Sequence, residues 1–197
     1  MDSNLAFQEE PREELIGGET VLMAPAALNH VLIAGNIYGV FANYLRGKPC
    51  TPIADGAVAY LTETDRFSPD FMVVCDPDKL RPDGVHGAPD LAVEILSPST
   101  AARDKTYKKA VYERCGVREY WIVSPGDRSV EQYLLCDGRL ELRNVYTLCP
   151  DDLRDLLSEQ QRAAIVTEFR CGVFDELSVP LDAVFARVGE RGFGIRN

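Results

Sequence analysis

The stretch from residue 89 to 100, PDLAVEILSPST, decides the fold. Its middle, LAVEIL, is an apolar run short enough for a strand and broken by a single carboxylate, Glu94. Side chains alternate across a strand, so Glu94 shares a face with Ala92 and Leu96, while Val93 and Ile95 point the other way. A buried, unpaired charge is costly and is usually compensated by a partner or a metal. The residues alone leave the alternative open that Glu94 faces water at a strand edge or sheet end. The SPST that follows supplies a stop and a helix cap.

Working outward toward the C-terminus, the spacing predicts a helix over 101–115 that finishes at Gly116, the residue type that best tolerates the left-handed position after a helix. Strands are expected at 118–124 and 130–135, with Asp137-Gly138 turning the latter back into 139–145. From 150 onward the reading is a loop, a strand near 164–169 and a short closing helix around 181–187. Toward the N-terminus, 69–75 (PDFMVVC) and 56–62 (GAVAYLT) read as strands. Residues 26–46 read as an amphipathic helix, with Val31, Ala34, Tyr38, Phe41 and Leu45 recurring at three to four residues. Before it, 13–24 reads as a hairpin turning at Gly17-Gly18. This order implies an α/β protein with a central mixed sheet flanked by helices. No internal repeat or long linker interrupts it, so one domain is expected over 1–197.

A chain of 197 residues buries roughly 70% of its unfolded surface and needs no staple to fold. Apolar residues at 46% and charged residues at 26% are those of an ordinary globular protein. The first ten residues lack a basic start and an apolar run, and no stretch is long and uncharged enough for a membrane span, so a cytoplasmic protein is expected. Cysteines at 50, 75, 115, 136, 149 and 171 form no C-x-x-C pair, which argues against a zinc site and a disulfide framework and for reduced thiols. The net charge of -10 stands against a nucleic-acid ligand, yet residues 103–118 carry a local +4.

Asp70 begins the 69–75 strand. If that strand neighbours the one bearing Glu94, the two carboxylates meet at one end of the sheet and offer oxygens to a hard cation such as Mg²⁺. Asp104, Lys108 and Tyr112 follow at intervals of four and line one face of their helix. They are either an ion pair beside a packed tyrosine, or a set that points Lys108 back over the carboxylates, with the helix N-terminus favouring a phosphate. His30, at the start of the first helix, reads as a capping or packing residue before a catalytic one. Asp90, four residues before Glu94 and on the same face, rivals Asp70 as the first carboxylate. Phosphate-binding loops, metalloprotease helices and nucleophile elbows are absent.

The helix-start His30, the FSPDFMVVCD block, PDLAVEILSPST, then Asp104, Lys108 and Tyr112, and GVREYWIVSP from 116 to 125 together resemble a bacterial family of restriction-endonuclease-like proteins, of the Uma type, within the PD-(D/E)XK superfamily. The resemblance spans about 12–188. It implies the restriction endonuclease-like fold, an αβββαβ core behind the N-terminal hairpin. It implies Asp70 and Glu94 as metal carboxylates for Mg²⁺, with Mn²⁺ as a substitute, and a phosphodiester of DNA as substrate. The superfamily lysine would stand two residues after Glu94, where this chain has Leu96. The resemblance makes Lys108 its replacement, His30, Asp90, Asp104 and Tyr112 accessory, and Lys105 and Lys109 contacts to nucleic acid. Sequence specificity would have to come from loops such as 76–88 or from a partner subunit, and a twofold homodimer is the expected assembly.

Overall fold

The structure, a computed structural model, describes residues 12–54 and 56–189. In chain order it comprises strands β1 (Glu13–Ile16) and β2 (Glu19–Leu22), helix α1 (Leu28–Tyr44), and strands β3 (Thr51–Ala54), β4 (Ala59–Tyr60), β5 (Arg66–Phe67) and β6 (Phe71–Val74). Strands β7 (Leu80–Arg81), β8 (Gly84–His86) and β9 (Leu91–Ile95) come next. A continuous helical run then passes from α2 (Ala101–Arg103) through a π-helical turn (Asp104–Lys108) to α3 (Lys109–Cys115). Strands β10 (Glu119–Ser124), β11 (Ser129–Cys136) and β12 (Arg139–Thr147) follow. Helices α4 (Asp151–Leu156) and α5 (Glu159–Ala163), strands β13 (Glu168–Arg170) and β14 (Ser178–Pro180), and helix α6 (Leu181–Val184) complete it.

The main sheet has the order β12-β11-β10-β9-β6-β3, with β9 and β10 parallel and the other pairs antiparallel. A parallel neighbour needs a crossover, and the helical run 101–115 is that crossover. All five residues of β9 are buried, which a strand covered on both faces requires. Val93 and Ile95 pack with Trp121 and Val123 beneath α1 and α6. On the opposite face Ala92 packs with Tyr112, Tyr120, Ile122 and Phe67 beneath α3. The alternation expected for LAVEIL thus separates the two cores, and Glu94 lies on the α3 side.

The hairpin, the crossover and the closing helix form where expected, and Gly116 takes φ 84° after α3. The hairpin pairs Ile16 with Glu19 across Gly17-Gly18, both at positive φ, as a tight two-residue turn demands. A second sheet, β2-β1-β5-β4-β8-β7, carries this hairpin against the α3 side of the molecule. Asp65, fully buried, pins it there. Its carboxylate accepts from Gly17 N–H at 3.1 Å, Tyr107 Oη at 2.9 Å and the Arg114 guanidinium at 2.7 Å, so the hairpin turn and the helix share one anchor.

Several expectations are corrected. In α1 the buried residues are Ile33, Ala34, Ile37 and Phe41, while Val31 and Tyr38 are 54% and 39% exposed. The 17-residue helix carries no Asp, Glu, Lys or Arg, so no charge marks its solvent face in the sequence. Cys50 and Cys75 form a disulfide, against the expectation of reduced thiols throughout. The ladder explains it: Thr51 pairs with Val74, which sets the two cysteines opposite each other one step further out. The segment read as a loop after 150 contains α4 and α5, the latter begun by a capping box at Ser158. The strand expected over 56–62 shrinks to Ala59–Tyr60. The SPST hydroxyls do not cap the helix. Ser97 Oγ bonds Ser99 Oγ at 3.0 Å and Thr100 Oγ1 at 3.1 Å, and Thr100 makes no side-chain bond to the helix N-terminus. Among the described residues no helix is long and apolar enough to cross a membrane.

The corrected phase of α1 gives a direct test. Phe41→Ala should cost about 3–5 kcal/mol in denaturant unfolding, and Val31→Ser should stay within about 0.5 kcal/mol. Comparable losses at the two positions would contradict this phase.

Candidate active site

β6 and β9 run antiparallel with Phe71 opposite Val93, so the next step of the register sets Asp70 opposite Glu94 at one end of the pair. Asp70 is held by the sheet itself: Ile95 N–H donates to its Oδ2 at 2.6 Å. Its Oδ1 lies 2.7 Å from His30 Nε2, which projects from the first turn of α1. The histidine expected to cap or pack therefore meets the first carboxylate.

Glu94, 3% exposed, is approached from the helical run. Its Oε1 accepts from Lys108 Nζ at 3.1 Å and from Tyr112 Oη at 2.7 Å. Asp104 Oδ1 lies 3.7 Å from the same ammonium. The interval of four holds Asp104, Lys108 and Tyr112 on one face, but the run is not uniformly α-helical as expected. Residues 104–108 form a π turn, and such turns occur where something inserts into the helical ladder. Here Tyr120 Oη donates to the carbonyl of Asp104 at 3.1 Å and Thr106 Oγ1 to that of Ala102 at 2.6 Å. These hydroxyls engage one carbonyl of the turn that directs Asp104 and Lys108 to the sheet and one of the α2 residues just before it.

A fourth carboxylate, Glu14 of β1, completes the cluster and was not singled out from sequence. Its Oε1 accepts from Lys108 Nζ at 2.8 Å and from Ser68 N–H at 2.9 Å. Arg103 Nη2 stands 3.9 Å from its Oε2. The available signal was the period of two: Glu14 shares a face with Ile16, which packs against the α3-side core.

Asp90, the rival to Asp70, is excluded from this cluster. It precedes β9 at the end away from Glu94, about 13 Å distant at the strand rise of about 3.3 Å per residue. There it accepts from Cys75 N–H at 2.8 Å and from Arg118 at 3.3 Å. The basic run is likewise engaged within the chain. Lys105 pairs with Glu131, Lys109 lies over the Tyr133 ring, Arg114 binds Asp65 and Arg118 binds Asp90.

Burial raises the Glu94 carboxyl well above its ordinary value of 4.5, a rise that Lys108 opposes and the neighbouring carboxylates reinforce. Burial also raises Asp104, again against the pull of Lys108. For Lys108 burial acts downward, but Glu94, Glu14 and Asp104 together raise it, so the ammonium stays charged at neutral pH. Burial lifts the Tyr112 hydroxyl as well, which keeps it a hydrogen-bond donor to Glu94.

These residues fit a hard divalent cation. The donors nearest the sheet end are carboxylate oxygens, the chemistry Mg²⁺ prefers. Asp104 Oδ1 is buried without a hydrogen bond, as is the donor Nε of Arg103, so the cluster holds a carboxylate oxygen open to a cation. Among the described residues no three His, Cys, Asp or Glu side chains form a ready-made metal cage, so Asp70 and Glu94 would share the ion with water.

The family model described as "Uma2: Putative restriction endonuclease" matches residues 2–164. "Uncharacterized protein slr1290" of Synechocystis sp. (strain ATCC 27184 / PCC 6803 / Kazusa) is 29% identical over 133 residues, covering 66% of this chain and 70% of that protein. A solved structure, "a putative nuclease belonging to DUF820" from Anabaena variabilis ATCC 29413, matches with a TM-score of 0.67 at 17% identity. The match covers 90% of this chain and 91% of the other. At that identity the likeness is one of fold, and the fold is the α/β, restriction endonuclease-like one.

Because the raised Glu94 carboxyl favours folding only while protonated, that contribution is complete below pH 4.5 and is lost as pH rises through the folded-state value. Glu94→Gln should therefore be more stable than the natural protein at pH 8 and indistinguishable from it at pH 3. Lys108→Ala should cost about 3–5 kcal/mol at pH 8, since it strands buried carboxylates. Thermal or urea unfolding across pH measures both, and a destabilised Glu94→Gln at pH 8 would overturn the sign.

Proposed function

The chain belongs to the Uma2 family of restriction-endonuclease-like proteins, and on that premise we propose that it is a Mg²⁺-dependent endonuclease hydrolysing phosphodiester bonds of DNA. The observation that carries this reading is the 3.1 Å contact between Lys108 Nζ and Glu94 Oε1, which puts a cation where the strand, with Leu96, provides none. Asp70 and Glu94 would hold the ion, with Mn²⁺ able to substitute. When bound it would polarise the phosphoryl oxygen and acidify the attacking water. Lys108, charged throughout, offsets negative charge that grows on the phosphoryl group rather than taking a proton. His30 orients Asp70, and Tyr112 with Asp104 orients Glu94 and Lys108. Lys105 and Lys109 contact the flanking phosphates, Lys105 exchanging Glu131 for phosphate as it does so. One domain over about 12–188 suffices for this chemistry, and the reading extends to a cytoplasmic protein acting as a twofold dimer.

A second reading, a nucleic-acid- or protein-binding member of the same fold, is favoured by the burial of the cluster. Glu14, Glu94, Asp104 and Lys108 are each 3% exposed or less, and the chain carries a net charge of -10.

Supercoiled plasmid incubated with protein and Mg²⁺ or Mn²⁺ separates the two. Nicking or linearisation should appear and should fall on the order of 10²-fold or more in Asp70→Asn, Glu94→Gln and Lys108→Met, provided each melts as a folded protein. Cleavage unchanged by Glu94→Gln would refute the assignment. Salt-sensitive binding without cleavage in either metal would establish the second reading.

A further inference from the structure

An ammonium has three N–H donors, and around Lys108 Nζ three carboxylates stand at 2.8 Å (Glu14), 3.1 Å (Glu94) and 3.7 Å (Asp104). The shortest contact is not to the strand carboxylate but to the hairpin residue. Glu14 is itself fixed, since the Oε1 that receives Lys108 also receives Ser68 N–H at 2.9 Å, two residues before Asp70. The hairpin turn that carries Glu14 is locked to the helix through Asp65.

We propose that Glu14 is the positioning residue of this site, the resting partner of the Lys108 ammonium when Glu94 turns its carboxylate to a divalent cation. The proposal rests on the reading of Asp70 and Glu94 as the cation's ligands. Lys108 and such a cation compete for the same Glu94 carboxylate, whose Oε1 already accepts two hydrogen bonds. With Glu94 as its only counter-charge, a buried ammonium could not yield that oxygen without being stranded in a poorly polarisable surrounding, and it would therefore exclude the cation. Glu14 removes the conflict. The ammonium is already within hydrogen-bond distance of it and remains paired when Glu94 is withdrawn, with Asp104 Oδ1 the nearby acceptor that takes up a freed N–H. The hairpin thus tunes cation affinity from outside the ligand set, as residues behind metal ligands do elsewhere.

A purely structural Glu14 would only anchor the hairpin to Ser68. Glu14→Gln separates the two roles, because the amide oxygen can still accept from Ser68 N–H while the charge is gone. Mn²⁺ affinity, measured by calorimetry or electron paramagnetic resonance without any cleavage assay, should fall on the order of tenfold in Glu14→Gln. On a Lys108→Met background the same substitution should change it by less than about threefold, since no ammonium remains to be held. Equal losses on the two backgrounds, or no loss on the natural one, overturn the proposal while leaving the cation site standing. Failure of the natural protein to bind Mn²⁺ at all, with Glu94→Gln no different, overturns the cation site and this inference with it.

Should Glu14→Gln or Lys108→Met fail to fold in a melting experiment, the natural chain provides the test. In a Mg²⁺ titration followed by amide NMR, Ile95 N–H reports on Asp70 and Ser68 N–H reports on Glu14. Both should shift along one saturation curve. An Ile95 shift with an unmoved Ser68 overturns the proposal alone, and neither shifting overturns the cation site as well.

Discussion

The structure turns on one buried ammonium. Lys108 is 3% exposed and would be too costly to bury without counter-charge, and the carboxylates of Glu94, Glu14 and Asp104 would repel one another without it. These four groups come from three constraints of the fold: Glu94 from the phase of β9, Asp104 and Lys108 from the π turn, and Glu14 from the hairpin that Asp65 pins to the helix. Such a network ties elements together, because one strand, one helix and one hairpin must all be in place before all of its charges are compensated. The raised Glu94 carboxyl is the residual conflict, and sites where a fold tolerates that kind of conflict are candidates for chemistry.

The charge distribution gains a different meaning from this arrangement. A local +4 in a chain of net -10 suggested a surface for phosphate. In the fold the same cations pair with carboxylates of the chain: Lys108 within the buried cluster, and the exposed Arg114, Arg118 and Lys105 with Asp65, Asp90 and Glu131. A basic helix beside an acidic sheet edge is what such pairing looks like in sequence. On the proposed reading, a polyanion would meet cations that are already paired and would have to exchange for their carboxylate partners.

How much was legible in the sequence follows from how local each signal is. The alternation in PDLAVEILSPST set the phase of Glu94 correctly, because period two within one strand needs no knowledge of neighbours. The spacing of Asp104, Lys108 and Tyr112 likewise predicted a shared face, though not the π turn, beside which Tyr120 and Thr106 engage helix carbonyls. Glu14 escaped notice because its meaning lies in Lys108, far along the chain, and a glutamate in a surface hairpin looks solvated. The stripe read for α1 was right at Ala34, Phe41 and Leu45 and wrong at Val31 and Tyr38, because a helix without Asp, Glu, Lys or Arg leaves its apolar face broad and the sheet selects the part that includes Ile33 and Ile37. The Cys50–Cys75 pair needed the β3–β6 register, which no residue pattern announced.

The most direct test of the account is to locate a divalent cation in a crystal of this protein grown with Mn²⁺, by anomalous scattering. The account predicts a peak touching both the Asp70 and Glu94 carboxylates, with the Lys108 ammonium drawn toward Glu14. A peak elsewhere with none between Asp70 and Glu94, or a saturated crystal in which Lys108 keeps its contact with Glu94 and no ion is present, would contradict it.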